Sequence, residues 1–273
     1  MTVPTAVGVY GGGRMGAGIA HAFAVAGSAV TVVETEAAAD AARGRVEKSL
    51  AKAAERGVEI PGVVTVVTDP ALLNGVPLVV EAVPELVDLK HSVLATIARS
   101  APDAVIGTNT SSLSIDVLAG ALPDPSVLIG LHFFNPVPAS DLVEVVVGEK
   151  TSAELVVRAQ EWVRGLGKHA ITVRNTPGFA SSRLGVAIAL EAMRMVEEGV
   201  ASAEDIDSAM VLGYRHPVGP LRTTDIVGLD VRLAIAEHLE RELGPRFAPP
   251  RLLRDKVAAG QLGRKTGEGF YRW

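Results

Sequence analysis

The feature that most constrains this chain is a glycine run set between two kinds of apolar segment. Ala6 to Tyr10 is a short run suited to a buried strand. Gly11-Gly12-Gly13-Arg14-Met15-Gly16 follows at once, and Met15 to Ala26 then reads as a helix. Glycines at such a junction permit a tight turn and let backbone N–H groups approach an anion at the helix N-terminus. The spacing G-x-G-x-x-G, directly after a strand and opening a helix, is that of a parallel sheet that cradles the pyrophosphate of a dinucleotide. Gly11, Gly13 and Gly16 are then the motif glycines, with Arg14 and Met15 lying between them over the ligand.

The second apolar run, Val30 to Val33, ends at Glu34, 18 residues beyond Gly16. A carboxylate there accepts hydrogen bonds from both adenosine ribose hydroxyls and repels a 2′-phosphate. The first arginine beyond it is Arg43. The pattern favours NAD over NADP.

Further runs at Val63 to Val67, Leu78 to Val80, Val105 to Gly107 and Leu128 to Phe133 lack polar alternation, as strands buried on both faces do. Helical stretches at Ala37 to Arg56, Leu86 to Ser100 and Ser114 to Ala121 separate them. This alternation predicts an α/β fold with a doubly wound, Rossmann-type sheet. Leu142 to Val147 follows Phe133 too closely for a crossover helix, so it should pair antiparallel. After Val173 the pattern turns helical: Phe179 to Gly199, Ala203 to Leu212, Thr224 to Leu243 and Arg251 to Ala259. Asn175-Thr176-Pro177-Gly178 is the natural boundary. It divides a dinucleotide-binding domain over 1–175 from a smaller all-helical C-terminal domain over 176–273.

A formal charge of −5 gives no positive field for nucleic acid or an anionic membrane. The apolar stretch 6–33 is broken by Gly11 to Arg14 and has no basic segment before it, so it reads neither as a membrane span nor as a secretory signal. Cysteine is absent, which fits a reducing compartment. The expectation is a cytoplasmic protein.

His132 sits at the carboxyl end of the strand Leu128 to Phe133, where doubly wound sheets hold ligands. A lone histidine among aromatics is as a class more often a core residue. Glu144, in the apolar run Leu142 to Val147, shifts the balance, because a carboxylate in such a strand is costly unless paired. Antiparallel neighbours would let Glu144 reach His132, fix its tautomer and stabilise the imidazolium, so that the histidine can take a proton from an alcohol. Asn109 to Ser112 closes the preceding strand with small hydroxyl donors, or caps the next helix through Ser112.

With these residues in view, the sequence resembles the L-3-hydroxyacyl-CoA dehydrogenase family. The resemblance rests on the glycine motif, Glu81 to Glu85, Asn109 to Leu113, His132 to Pro138, Leu142 to Val145, Thr176 to Phe179, His216 to Pro220 and Gly263 to Tyr271. It implies an NAD-dependent enzyme that interconverts a 3-hydroxyacyl-CoA, such as 3-hydroxybutyryl-CoA, and its 3-oxo form. His132 would be general acid/base and Glu144 its orienting partner. Ser111 and Asn135 would bond the reacting oxygen. Glu85, Lys90 and Lys265 would line the cofactor. The helical domain would supply a homodimer interface, for which the apolar run Val186 to Val196 has a face to spare.

Two features depart from the family pattern. Pro177-Gly178-Phe179 is followed by Ala180-Ser181-Ser182-Arg183, so Ser182 stands where the family usually has a substrate-cleft asparagine. The second arm of the family's CoA-contacting helical hairpin is replaced by Arg56 to Gly62, leaving Arg43, Arg45, Lys48 and Lys52 on the first helix to meet CoA phosphates or simply to face solvent. A shortened arm also suits an acyl-carrier-protein thioester as substrate. A non-catalytic NAD-binding protein is the remaining reading, and intact His132, Glu144, Ser111 and Asn135 count against it.

Overall fold

The computed structural model describes residues 3–273. The chain forms two compact units, Met1–Thr176 and Pro177–Trp273.

The first unit runs β1 (Ala6–Tyr10), α1 (Arg14–Val25), β2 (Ala29–Val33), α2 (Glu36–Ala54), β3 (Val63–Val67), β4 (Leu78–Glu81), α3 (Val87–Ser100), β5 (Val105–Thr108), α4 (Ile115–Ala119), β6 (Leu128–Phe133), β7 (Leu142–Val147), α5 (Ala153–Gly165) and β8 (His169–Arg174). Among the described residues these eight strands form one sheet in the order β3-β2-β1-β4-β5-β6-β7-β8. The first six pair in parallel, and β7 pairs antiparallel with β6. The order reverses between β1 and β4, where crossovers depart to opposite sides and open a crevice at the strands' carboxyl ends. Val7, Val9, Ile19, Phe23, Leu78, Val80, Ile129 and Leu131 pack the core on which that crevice rests.

Two elements lie outside the sequence reading. Edge strand β8, parallel to β7, has only exposed and half-buried residues and lacks the apolar run of a buried strand. Helix α5 buries Leu155, Ala159, Trp162 and Val163, a stripe of helical period. Helix α4 is also shorter than expected. Its cap is Ser114, whose Oγ accepts from Val117 N (3.4 Å), and not Ser112.

The second unit is helical: α6 (Ser181–Glu197), α7 (Ala203–Ser208) with a π-helical turn at Ala209–Gly213, α8 (Pro220–Val227), α9 (Leu229–Leu243) and α10 (Arg251–Ala258). The single helix expected over Thr224 to Leu243 is two, broken at Gly228, whose φ of 107° suits glycine far better than any L side chain. Buried Asp225 accepts from Phe270 N and Tyr271 N, each at 2.9 Å, and from Trp273 Nε1, which ties the C-terminal segment down. Among the described residues no helix is long and apolar enough to cross a membrane.

Candidate active site

The crevice at the carboxyl ends of β1, β4, β5 and β6 is a cleft of about 500 Å³. It is walled by Gly13 to Met15, Ala82 to Glu85, Asn109, Ser111 and His132 to Asn135.

At its floor the glycine turn is held close. Gly11 has φ 102°, and a Cβ there would lie 3.0 Å from the Ala82 carbonyl. A Cβ on Gly16 would stand 1.7 Å from Gly11 O, so only glycine fits. Gly13 is the N-cap of α1 and brings no side chain, which leaves the helix N-terminus to a ligand. Glu34 Oε2 accepts from Gly12 N (2.7 Å) and Oε1 from Thr35 N (2.8 Å). A carboxylate has about four lone-pair sites, so capacity for ribose hydroxyls remains. Arg45 Nη1 donates to Gly12 O (3.2 Å), bracing the turn from α2. A bare turn, an uncapped helix start and a carboxylate at the end of β2 fit NAD.

His132 and Glu144 are direct cross-strand partners in the β6–β7 register. His132 Nδ1 lies 2.7 Å from Glu144 Oε2. Glu144 has no exposed surface and His132 is 7% exposed, so the pair is shielded from water while the histidine borders the cleft. A carboxylate acceptor makes Nδ1 the donor nitrogen, so Nε2 is the acceptor nitrogen of the neutral ring. The Phe134 ring lies 4.5 Å from the imidazole, centroid to centroid.

Glu85 organises the opposite wall. Its Oε1 accepts from Thr110 Oγ1 (2.7 Å), Ser111 N (2.8 Å) and Ser112 N (2.9 Å), with the Ser111 and Ser112 hydroxyls at 3.2 and 3.1 Å. Burial alone would raise its pKa. The Lys90 ammonium and these hydroxyl and amide donors outweigh burial and hold it below the ordinary carboxylate range. Lys90 was expected to line the cofactor, but it has no exposed surface. Its Nζ donates to Glu81 Oε1 (2.7 Å), Glu81 Oε2 (2.9 Å) and Val83 O (3.2 Å), behind the wall rather than on it. Burying an ammonium demands such partners. Glu81 and Thr108, which donates to Glu81 Oε2 (2.6 Å), complete the network and were missed from sequence. Glu81 carries the signal that marked Glu144, a carboxylate in an apolar strand.

Lys168 is a second residue that the sequence did not single out. Its Nζ donates to Val137 O (2.7 Å) and Ser140 O (2.5 Å), clamping the loop between β6 and β7. Residues 135–139 of that loop also wall an adjoining cleft of about 550 Å³, shared with Arg14, His21, Ser49, Lys52 and Arg56. Lys52 thus faces a cavity. Lys48 is exposed on α2 and is not part of its lining, and Arg43 pairs with Asp40 (2.5 Å). Helix α2 runs into the loop 55–62 and then β3, with no second helix between. In the helical unit, Ser182 lies half-buried in the first turn of α6, and Lys265 Nζ pairs with Asp230 at 2.5 and 2.6 Å.

Comparison with known proteins gives a consistent picture. Residues 6–176 match the family described as 3-hydroxyacyl-CoA dehydrogenase, NAD binding domain, and residues 178–273 match 3-hydroxyacyl-CoA dehydrogenase, C-terminal domain. The chain is 43% identical to a 3-hydroxybutyryl-CoA dehydrogenase of Mycobacterium tuberculosis, covering 98% of each chain. It is 38% identical to the mitochondrial hydroxyacyl-coenzyme A dehydrogenase of Sus scrofa, covering 98% of this chain and 90% of that one. The crystal structure of (S)-3-hydroxybutyryl-CoA dehydrogenase from Ralstonia eutropha superposes with a TM-score of 0.93 at 38% identity, covering 99% of each. The glycine cradle, the His132–Glu144 pair and matches across both units carry one conclusion: this chain belongs to the NAD-binding 3-hydroxyacyl-CoA dehydrogenase family.

Proposed function

We propose that the protein interconverts a short-chain 3-hydroxyacyl-CoA and its 3-oxoacyl-CoA, with His132 as general acid/base. The observation that carries this reading is the buried His132–Glu144 hydrogen bond at the edge of the dinucleotide cleft. NAD, when bound, supplies the hydride acceptor for alcohol oxidation and, as NADH, the donor for the reverse. His132 Nε2 takes the 3-hydroxyl proton, and Glu144 stabilises the resulting imidazolium through Nδ1–H. Ser111 and Asn135, both on the cleft wall, hydrogen-bond the reacting oxygen. Glu34 binds the adenosine ribose, and Glu85 with Lys265 serves the cofactor. Ser182 offers a hydroxyl to the thioester, with shorter reach than an amide.

Lys52 and Arg56 on the adjoining cleft suit the phosphates of CoA. The direct passage from α2 to β3 supports a second reading, in which the thioester is carried on an acyl carrier protein. We also read the protein as a cytoplasmic homodimer. Tyr214 (77% exposed), lining the apolar groove of Ala187, Ile188, Met195 and Met210, and the exposed Leu212 (80%) favour burial against a second copy. The test is NADH oxidation with acetoacetyl-CoA, longer 3-oxoacyl-CoAs and the matching carrier-protein thioesters, each repeated with NADPH. Turnover should be highest with acetoacetyl-CoA and NADH. Preference for a carrier-protein thioester would support the second reading, and no turnover of any of them would defeat both.

A further inference from the structure

Among the described residues, other deeply buried charges are compensated. Glu81 has Lys90, Glu144 has His132, and Asp207 accepts from Leu221 N and Arg222 N, each at 2.8 Å. Arg232, near the start of α9, is different. It is 8% exposed, its Nε is buried with no hydrogen-bond partner, and no carboxylate reaches ion-pair distance of its guanidinium. Burial pulls its pKa below the ordinary arginine value, and no neighbouring charge opposes that pull. A buried guanidinium nitrogen without a partner is costly, and a nearby anion would offset that cost.

The surroundings indicate where the counter-ion sits. A Cβ on Gly185 of α6 would lie 3.4 Å from Arg232 Nη1 and 3.9 Å from Nη2, so both terminal nitrogens lie against a stretch of α6 that carries no side chain. Gly185 is one helical turn beyond Ser182 and on the same face of α6. Two adjacent nitrogens of a planar fork match the two oxygens of a carboxylate. A carboxylate carries one charge and loses less hydration on entering a shielded site than a phosphate dianion.

We propose that Arg232 anchors an anion site in the helical unit and that its ligand is a carboxylate. That carboxylate comes either from the far end of an acyl chain or from a free small dicarboxylate. The acyl-borne source rests on the function proposed above; the free source does not.

The experiment uses the full chain as wild type, Arg232→Met and Arg232→Lys. Thermal unfolding is followed with succinate, glutarate, inorganic phosphate and chloride at matched ionic strength. Ligand-free Arg232→Met should melt at or above the wild-type Tm, because an unpaired buried charge is gone. Dicarboxylate should raise the wild-type Tm, raise that of Arg232→Lys less, and leave Arg232→Met unmoved. In the kinetic arm, a six-carbon 3-oxoacyl-CoA ending in a carboxylate is compared with 3-oxohexanoyl-CoA. If the carboxylate is acyl-borne, wild type favours the charged substrate in kcat/KM by about tenfold or more, and Arg232→Met abolishes the ratio. A dicarboxylate-dependent Tm shift without that preference assigns the free ligand. The proposal is overturned if neither arm responds, if Arg232→Met responds as wild type does, or if phosphate stabilises as well as dicarboxylate. Should Arg232→Met not fold, an Arg232→Lys protein identical to wild type in both arms overturns it equally. Absence of turnover with acetoacetyl-CoA would count against the proposed function alone and leave the thermal arm to decide the site.

Discussion

Glu144 and Glu81 are both carboxylates without exposed surface in apolar strands, and each is answered by one basic side chain. The first was legible in the sequence because its partner lies on an adjacent strand, where pleat and register alone bring the two together. The second was not, because Lys90 reaches Glu81 from a helix, and strand periodicity says nothing of that geometry. Lys90 was recognised as important, but exposure could not be read from its type. Glu85 gives the prediction at this scale. Its pKa is depressed in the fold, so its contribution is fully present above the unfolded value of about 4.3 and is lost as pH falls through the lower folded value. Glu85→Gln should cost on the order of 1 kcal/mol at pH 7, after allowance for its partial exposure. The gap from wild type should close in strong acid. Urea melts across that range check this; a gap that widened on acidification would contradict it.

Elements with near-unbroken apolar runs were the readable ones, including β3, although Val63–Val67 is an edge strand of exposed and half-buried residues and not one buried on both faces as expected. Strands β1 to β6 announced themselves as apolar, largely β-branched runs, and the closeness of Leu142 to Phe133 foretold the antiparallel pairing. Strand β8 did not, because its exposed positions carry His169, Thr172 and Arg174, whereas the other edge strand, β3, keeps a valine-rich run. Missing β8 hid Lys168, which leads into it and pins the β6–β7 loop through two carbonyls. This loop bears Asn135 and connects the strands of His132 and Glu144. Burial lowers the Lys168 pKa, and Asp141 partly opposes this. Lys168→Met should destabilise the protein by about 1–2 kcal/mol and lower kcat several-fold, and Lys168→Arg should restore part of both. An unchanged kcat in Lys168→Met, with stability lost, would make the clamp purely structural.

At the scale of the whole molecule, the sequence carried the change from alternating elements to helices near Pro177, because Pro-Gly interrupts the chain where composition shifts. The break between α8 and α9 was not legible, since Gly228 reads like any helix glycine until its φ is seen. The apolar surface left on the helical unit predicts a dimer mass by light scattering at micromolar concentration; a monomer mass there would refute the proposed interface. The central claim is that His132, oriented by Glu144, moves the proton while the glycine cradle independently holds the dinucleotide. Its most direct test is the turnover of acetoacetyl-CoA by His132→Ala beside the Kd for NADH. The account predicts that kcat falls by roughly 10²- to 10⁴-fold with Kd nearly unchanged, and that Glu144→Gln falls by less. A His132→Ala enzyme with near wild-type kcat would contradict it.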